Sequence, residues 1–291
     1  MDILAFIHYL FFPDYTISIS DDARIKGIFI IDESVPSKKI KINQVGTIIF
    51  KEIEKNDRSI RYSRLLSILK EKYPAIPLKV LNDDISKFLY SLNFVNLINY
   101  KNFYKFNFIK CFMWNFVKFI KGYKNRYDLK GYNLIFLLIQ VIIAVFDTYL
   151  LIGIFLFYMW LFIIFICIYY HISSLWVFDI LGLIMGLFLS VAIHETIHVY
   201  TYRKIIKKQT GYLSSKMLMI SFVREILPLK QSLLVRVSGP FITALLGGAL
   251  FIFSDRVAFK VFSSVFIFHV VNLLPIFGDG YSLITDLFDK R

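Results

Sequence analysis

The stretch SLWVFDILGLIMGLFLSVAIHETIH, residues 174–198, decides how the rest of the chain is read. Residues 174–193 contain one charge, Asp179, and are otherwise almost wholly apolar. A helix needs about 20 such residues to cross a bilayer. The run flows directly into His194-Glu195-Thr196-Ile197-His198, an H-E-x-x-H sequence. On a helix the two histidines, four apart, leave the same face and can grip one metal ion. Glu195 follows about 100° around the helix, where it can take a proton from a metal-bound water. Ionisable groups in a membrane helix cost on the order of 2–3 kcal/mol each. The bland alternative, two unrelated buried histidines, does not account for three such groups in one turn at the end of a span.

Working outward, the chain has 291 residues of which 57% are hydrophobic, with a mean hydropathy of +0.62. Soluble domains hold roughly 45–50% apolar residues, so the excess must lie in lipid. It is concentrated: 1–133 reads as mixed soluble sequence and 134–277 as bilayer-spanning sequence. The run 134–170 is long enough for two spans, with Asp147 and Thr148 marking a hairpin tip. With 174–193, 232–254 and 257–277 this predicts four or five transmembrane helices. The net charge of +13 gathers beside apolar runs, at 101–130 and 203–208. That is the pattern of cytoplasmic flanks, not of a nucleic-acid surface. Cys111 and Cys167 are too few for a disulfide framework or a thiolate zinc site. The apolar opening 1–12 carries Asp2 in place of a basic region and lacks a small-residue cleavage site, so no signal peptide is expected.

Residues 1–100 alternate short strand-like and helix-like pieces. The runs 27–31 and 46–50 read as strands, 61–73 as a helix closed by Pro74, and a second helix should start near Asn82 or Asp83. An extended piece over 94–100 completes a small α+β, winged-helix-like cytoplasmic domain. The segments NQVGTIIFKEI, SRLLSILKEKYP and VLNDDISKFLYSLNFVNLI resemble the PqqD-type peptide-recognition domain over residues 20–100. The resemblance implies that the domain holds the leader segment of a ribosomally made peptide as an added strand. Residues 101–131, with Phe103, Tyr104, Phe106, Phe108, Phe112, Trp114 and Phe116 among lysines, read as a basic aromatic linker at the membrane interface. The remainder, 132–291, is the membrane-embedded domain.

H-E-x-x-H points to zinc, and a catalytic zinc takes three protein ligands and leaves one position for water. Asp179 precedes His194 by 15 residues, about 22 Å along a straight helix, and cannot reach. Asp279 can. The spans 232–254 and 257–277 cross back and return, which brings Asp279 to the histidines' own face, after Pro275 and Gly278 break the helix. His269 lies ten residues before Asp279, about 15 Å away if helical, and with His171 reads as a helix residue rather than a ligand. Gly239, Gly247 and Gly248 read as helix-packing glycines.

The ordered segments HETIH, SGPFITALLGG and NLLPIFGDGYSL resemble the three signatures of the site-2 protease (M50) family over residues 174–285. The resemblance implies an intramembrane zinc metalloprotease. In it His194, His198 and Asp279 would hold the metal, Glu195 would be the general base, and Asn272 would sit near the substrate backbone. The Asn272-to-Asp279 spacing is one residue shorter than the family form, and Gly278 stands where that form has an apolar residue. The two resemblances together imply a maturation protease for a ribosomally made peptide, acting on a peptide or membrane-protein substrate. The alternative is a non-catalytic peptide-binding or immunity protein with a vestigial metal site, against which an intact Glu195 argues. The 211–223 segment is β-prone and could pair with an unwound substrate. One conflict stands: a cytoplasmic amino terminus and a cytoplasmic active-site end require an odd number of spans before 174, whereas 134–170 reads as two.

Overall fold

The computed structural model describes residues 15–101, 108–171, 177–217, 219–274, 276 and 278–288. The opening stretch 1–12, the aromatic residues Phe103, Tyr104 and Phe106, Leu218 in the β-prone segment, and Pro275 lie outside these. The chain forms two compact units, one of Met1–Asp128 with Tyr212–Glu225 and one of Leu129–Gly211 with Ile226–Arg291.

Among the described residues the first unit holds nine strands: β1 (Thr16–Ile19), β2 (Ala23–Lys26), β3 (Phe29–Asp32), β4 (Lys39–Lys41), β5 (Ser59–Arg61), β6 (Ile98–Lys101), β7 (Lys124–Asp128), β8 (Tyr212–Lys216) and β9 (Met219–Val223). They make three antiparallel sheets ordered β5-β1-β6, β2-β3-β4 and β7-β8-β9. The described helices beside them are α1 (Gln44–Lys55), α2 (Tyr62–Lys72), α3 (Leu78–Phe94) and α4 (Phe108–Lys121). Ile17, Ile30, Phe50, Ile53, Leu65 and Leu89 share one core.

Three expectations are corrected here. Residues 46–50 are not a strand but the start of α1, whose buried positions Gly46, Ile49, Phe50 and Ile53 recur at helical spacing. Asn43 caps the helix by accepting from Gly46 N at 2.8 Å. Gly46 is there for packing: a Cβ would meet the Phe88 ring at 2.8 Å. The second expected helix starts earlier than Asn82, at Leu78 behind Pro77, which extends its buried stripe back to Leu81. Of the extended piece 94–100, only Ile98 onward is strand; Phe94 still ends α3, and Asn96 turns the chain at φ 62°.

Side chains tie β7 into this unit. Asn93 donates to Ile98 O and Lys124 O at 3.0 and 2.8 Å and accepts from Lys124 N at 2.9 Å. Asn99 treats Arg126 the same way, accepting from its N at 2.8 Å and donating to its O at 3.1 Å. The two amides supply the hydrogen bonds a further strand would have made. Arg126 itself is 1% exposed; it pairs with fully buried Asp32, with Asp22 at 2.7 Å and with Asp128 at 2.6 Å, and lies 3.8 Å over the Tyr212 ring. Burial opposes the guanidinium's charge, but Asp128 and Asp32 outweigh it and hold its pKa above the usual arginine value.

The second unit is helical: α5 (Leu134–Tyr169), α6 (Val177–Ile206), α7 (Leu229–Ile252), α8 (Val257–Phe268), a 3-10 turn (His269–Leu273) and α9 (Gly278–Phe288). Three of these, α5, α6 and α7, are long and apolar enough to cross a membrane, and 257–273 forms a shorter apolar segment. The expected pair of spans in 134–170 is one uninterrupted helix of 36 residues. Asp147 and Thr148 sit inside it. Thr148 satisfies its hydroxyl on Ala144 O at 2.7 Å, so it makes no turn. The described residues therefore hold three helices of spanning length, where four or five spans were predicted.

Glycines set how closely these helices approach. A Cβ at Gly182 would stand 2.6 Å from Ala258 O, and one at Gly186 would stand 3.1 Å from Phe262 O. Gly247 does the same from α7, where a Cβ would be 2.5 Å from Phe266 Cβ. Backbone thus touches backbone on both sides of α8, the packing available when lipid gives apolar faces no reason to associate. Arg203, read as part of a basic flank, is buried at 1% exposure and donates to Gly131 O and Leu129 O at 2.5 and 2.7 Å. Lys204, Lys207 and Lys208 remain exposed.

Candidate metal centre

The site grows from α6. His194, Glu195 and His198 are buried at 4%, 8% and 6% exposure. They do not end the helix, which runs about two further turns past His198 to Ile206. The two imidazoles stand at 87° to each other with centroids 4.6 Å apart. Their Nε2 atoms are 3.0 Å apart. Asp279, in the first turn of α9, places Oδ2 3.1 Å from His194 Nε2 and 3.6 Å from His198 Nε2.

Those three distances can be compared with a metal's requirement. Ligand bonds of about 2.0–2.1 Å in tetrahedral geometry put neighbouring ligand atoms about 3.3–3.4 Å apart. The observed edges, 3.0, 3.1 and 3.6 Å, bracket that value. Protonation agrees. His198 Nδ1 donates to Val235 O at 2.6 Å, which leaves a lone pair on Nε2. Anchoring the remote ring nitrogen on a carbonyl is the usual way a ligating histidine is oriented. His194, His198 and Asp279 form a group that could hold a metal ion, each offering one atom.

The carbonyl that anchors His198 belongs to α7, one turn before Pro240. Pro240 has no N–H to give Arg236 O, so the helical ladder is already interrupted in this turn. Gly239 is the tighter constraint. A Cβ there would strike the His198 ring, closest at Nε2, with Cε1 at 2.5 Å and Cδ2 at 2.8 Å. Gly239 is thus more than a helix-packing glycine: its bare backbone is the wall against which a ligand ring lies. Gly248, on the same helix, meets nothing within 4 Å.

Asp279 arrives by a route other than the expected one. The segment α8 plus the 3-10 turn covers 17 residues, short of the about 20 of a full crossing. The 3-10 turn ends at Leu273, and α9 begins at Gly278, which opens a helix rather than breaking one. Gly280 lets α9 lie against the end of the turn: a Cβ would collide with the Leu274 carbonyl and stand 2.5 Å from Leu273 O. Asp279, one residue earlier, is carried toward the histidines by that close return.

The same fold-back brings in a residue whose position was misjudged. The separation of about 15 Å between His269 and Asp279 assumed a continuous helix. Here the His269 ring lies 4.8 Å from the His194 ring, tilted 34°. Asn272 Nδ2 donates to His269 Nδ1 at 3.2 Å, so Asn272 also stands at the site's edge. No spacing rule in the sequence reports such a contact, because it depends on where a helix gives way to a 3-10 turn. His171 sits at φ 54° behind the end of α5, exposed and outside the metal-binding group.

The 212–223 segment, read as β-prone, is the antiparallel hairpin β8–β9, with Tyr212 opposite Val223 and Lys216 opposite Met219. β9 is an edge of its sheet. Compared with known protein families, characterised proteins and solved structures, the chain matches none.

Proposed function

We propose that the chain is an intramembrane zinc metalloprotease of the site-2 protease type, with His194, His198 and Asp279 as zinc ligands and Glu195 as general base. The observation that carries this reading is the convergence of two imidazole nitrogens and one carboxylate oxygen beside a buried glutamate, in a unit with three bilayer-length helices. Two imidazoles and a carboxylate, with room for a fourth ligand, are the donor set of catalytic zinc sites. Zinc bound there supplies a Lewis acid and a water with pKa near 7.

The chain's own residues supply the rest. The Glu195 carboxylate, one residue along α6 from His194, receives a proton and returns it to the leaving amine. Val235 O fixes His198 through its outer ring nitrogen, so that ring needs little rearrangement as charge develops. Asn272 orients the substrate backbone near the His194 side. A peptide in a lipid-facing helix hides its carbonyls in hydrogen bonds and must unwind before attack. The β9 edge offers N–H and C=O groups to an extended strand.

The first unit, with its PqqD-like pattern, serves in this reading to capture a leader segment, so that the enzyme matures a ribosomally made peptide. Localisation follows: the protein is integral to the cell membrane, with its amino-terminal unit and active-site end on the cytoplasmic side. A single helix over 134–169 gives the odd number of spans before α6 that this arrangement requires. The test is co-expression of membrane-associated precursor peptides with wild type and Glu195→Gln, read by mass spectrometry. A fragment formed by wild type alone supports the protease. Identical peptide profiles with zinc bound to both proteins would move the assignment to a non-catalytic binding protein with a vestigial metal site.

A further inference from the structure

The two histidines of the metal-binding group are held differently. His198 has an outer hydrogen bond, from Nδ1 to Val235 O. His194 Nδ1 is buried and has no hydrogen-bond partner among the described residues. A ligand ring without that anchor is free to rotate about its Cβ–Cγ bond unless something flat presses on it. What lies against it is His269: centroid to centroid 4.8 Å, planes 34° apart. His269 is itself locked, since Asn272 Nδ2 donates to its Nδ1 at 3.2 Å and both residues belong to one 3-10 turn.

We propose that His269 is the positioning residue for His194, a tilted imidazole, packed against it and clamped by Asn272, that replaces the missing outer hydrogen bond. The inference rests on the metal-holding part of the proposed function. His269 is not itself a ligand, since the metal-binding group is His194, His198 and Asp279. The geometry explains why a polar ring suits the position. One face must pack against His194, while one edge must accept from the amide that sets its rotation. A phenyl ring keeps the first property and loses the second, which separates the two contributions.

The experiment uses the full chain in detergent, titrated with zinc against a chromophoric chelator, and loaded with cobalt(II) for its visible absorption. His269→Ala should bind zinc 10- to 100-fold more weakly than wild type, the range found when outer-shell support is removed. Its cobalt band should broaden as His194 samples several orientations. His269→Phe and Asn272→Ala, which each keep a ring against His194 and lose only the clamp, should both stay within threefold of wild type. Wild-type affinity in His269→Ala overturns the proposal. So does a His269→Phe protein that is folded by size-exclusion chromatography yet more than tenfold weaker, because that result makes the ring nitrogens, not the packing, the important feature. A wild type that binds no metal overturns this inference and the protease together. Zinc binding with the predicted series but no cleavage of any peptide would sink only the protease.

Discussion

Gly239→Ala adds a single methyl group, and its consequence can be worked out from the structure. The new carbon would lie 2.5 Å from His198 Cε1 and 2.8 Å from Cδ2, nearer still to Nε2, where ordinary contact begins at 3.4 Å. The ring must therefore retreat by 3.4 − 2.5 = 0.9 Å or more, because the other party is helix backbone. Metal–ligand distances tolerate only about 0.2 Å of error, so a displacement of this size removes His198 from the coordination sphere. It also lengthens the 2.6 Å bond to Val235 O that orients the ring. Loss of outer-shell support alone weakens metal sites 10- to 100-fold. With a ligand displaced as well, zinc affinity should fall at least ~100-fold, about 2.8 kcal/mol. Zinc competition in detergent reads this directly. Gly248→Ala, on the same helix with nothing within 4 Å, is the matched control and should bind as wild type. A Gly239→Ala protein that held zinc within threefold of the control would refute the argument, because the ring and the methyl cannot both occupy that space.

Further outcomes follow from the same geometry. Asp279→Ala and His194→Ala should each lose stoichiometric zinc on dialysis, measured by metal analysis of purified protein, since each removes one of the three proposed ligands. Glu195→Gln should keep its zinc while peptide cleavage drops by roughly 10²–10⁴, the share of rate that a positioned general base supplies; a variant as active as wild type would remove Glu195 from the mechanism. Arg126→Met strands fully buried Asp32 without its partner, which costs about 3–5 kcal/mol, and hydrogen exchange in β2, β3 and β7 should accelerate accordingly. Asn93→Ala leaves Lys124 N and Ile98 O without their partners and should destabilise the first unit by about 1–3 kcal/mol, seen as a lower midpoint in denaturant.

The parts of this molecule that could be read in advance are those carried by local spacing. HETIH places two imidazoles on one helical face wherever the helix runs, and Asp279 follows from counting the two later apolar runs back to the histidines' face. The misreadings share a cause. Residues 46–50, G-T-I-I-F, are β-prone taken alone, but Asn43 capping and burial of Ile49, Phe50 and Ile53 against a distant core make them helix. Asp147 and Thr148 look like a turn, yet Thr148 bonds its own helix and the chain continues through. His269 was measured along an ideal helix axis that ends at Phe268. Gly239 was read as packing because a sequence shows that a side chain is missing, not what occupies the space.

The strand pairing β7–β8 joins residues 124–128 to residues 212–216, with α5 and α6 lying between them in the chain. During synthesis the ribosome must therefore deliver two bilayer-length segments before β7 can find its neighbour. Until then β7 presents an unsatisfied strand edge, the kind of surface that recruits chaperones or aggregates. Cutting the gene after residue 128 would leave that edge open permanently. A soluble version of the amino-terminal unit should need residues 212–225 spliced on through a short flexible linker, and insertion of α5 and α6 becomes a timing step in the maturation of a domain that contains neither of them.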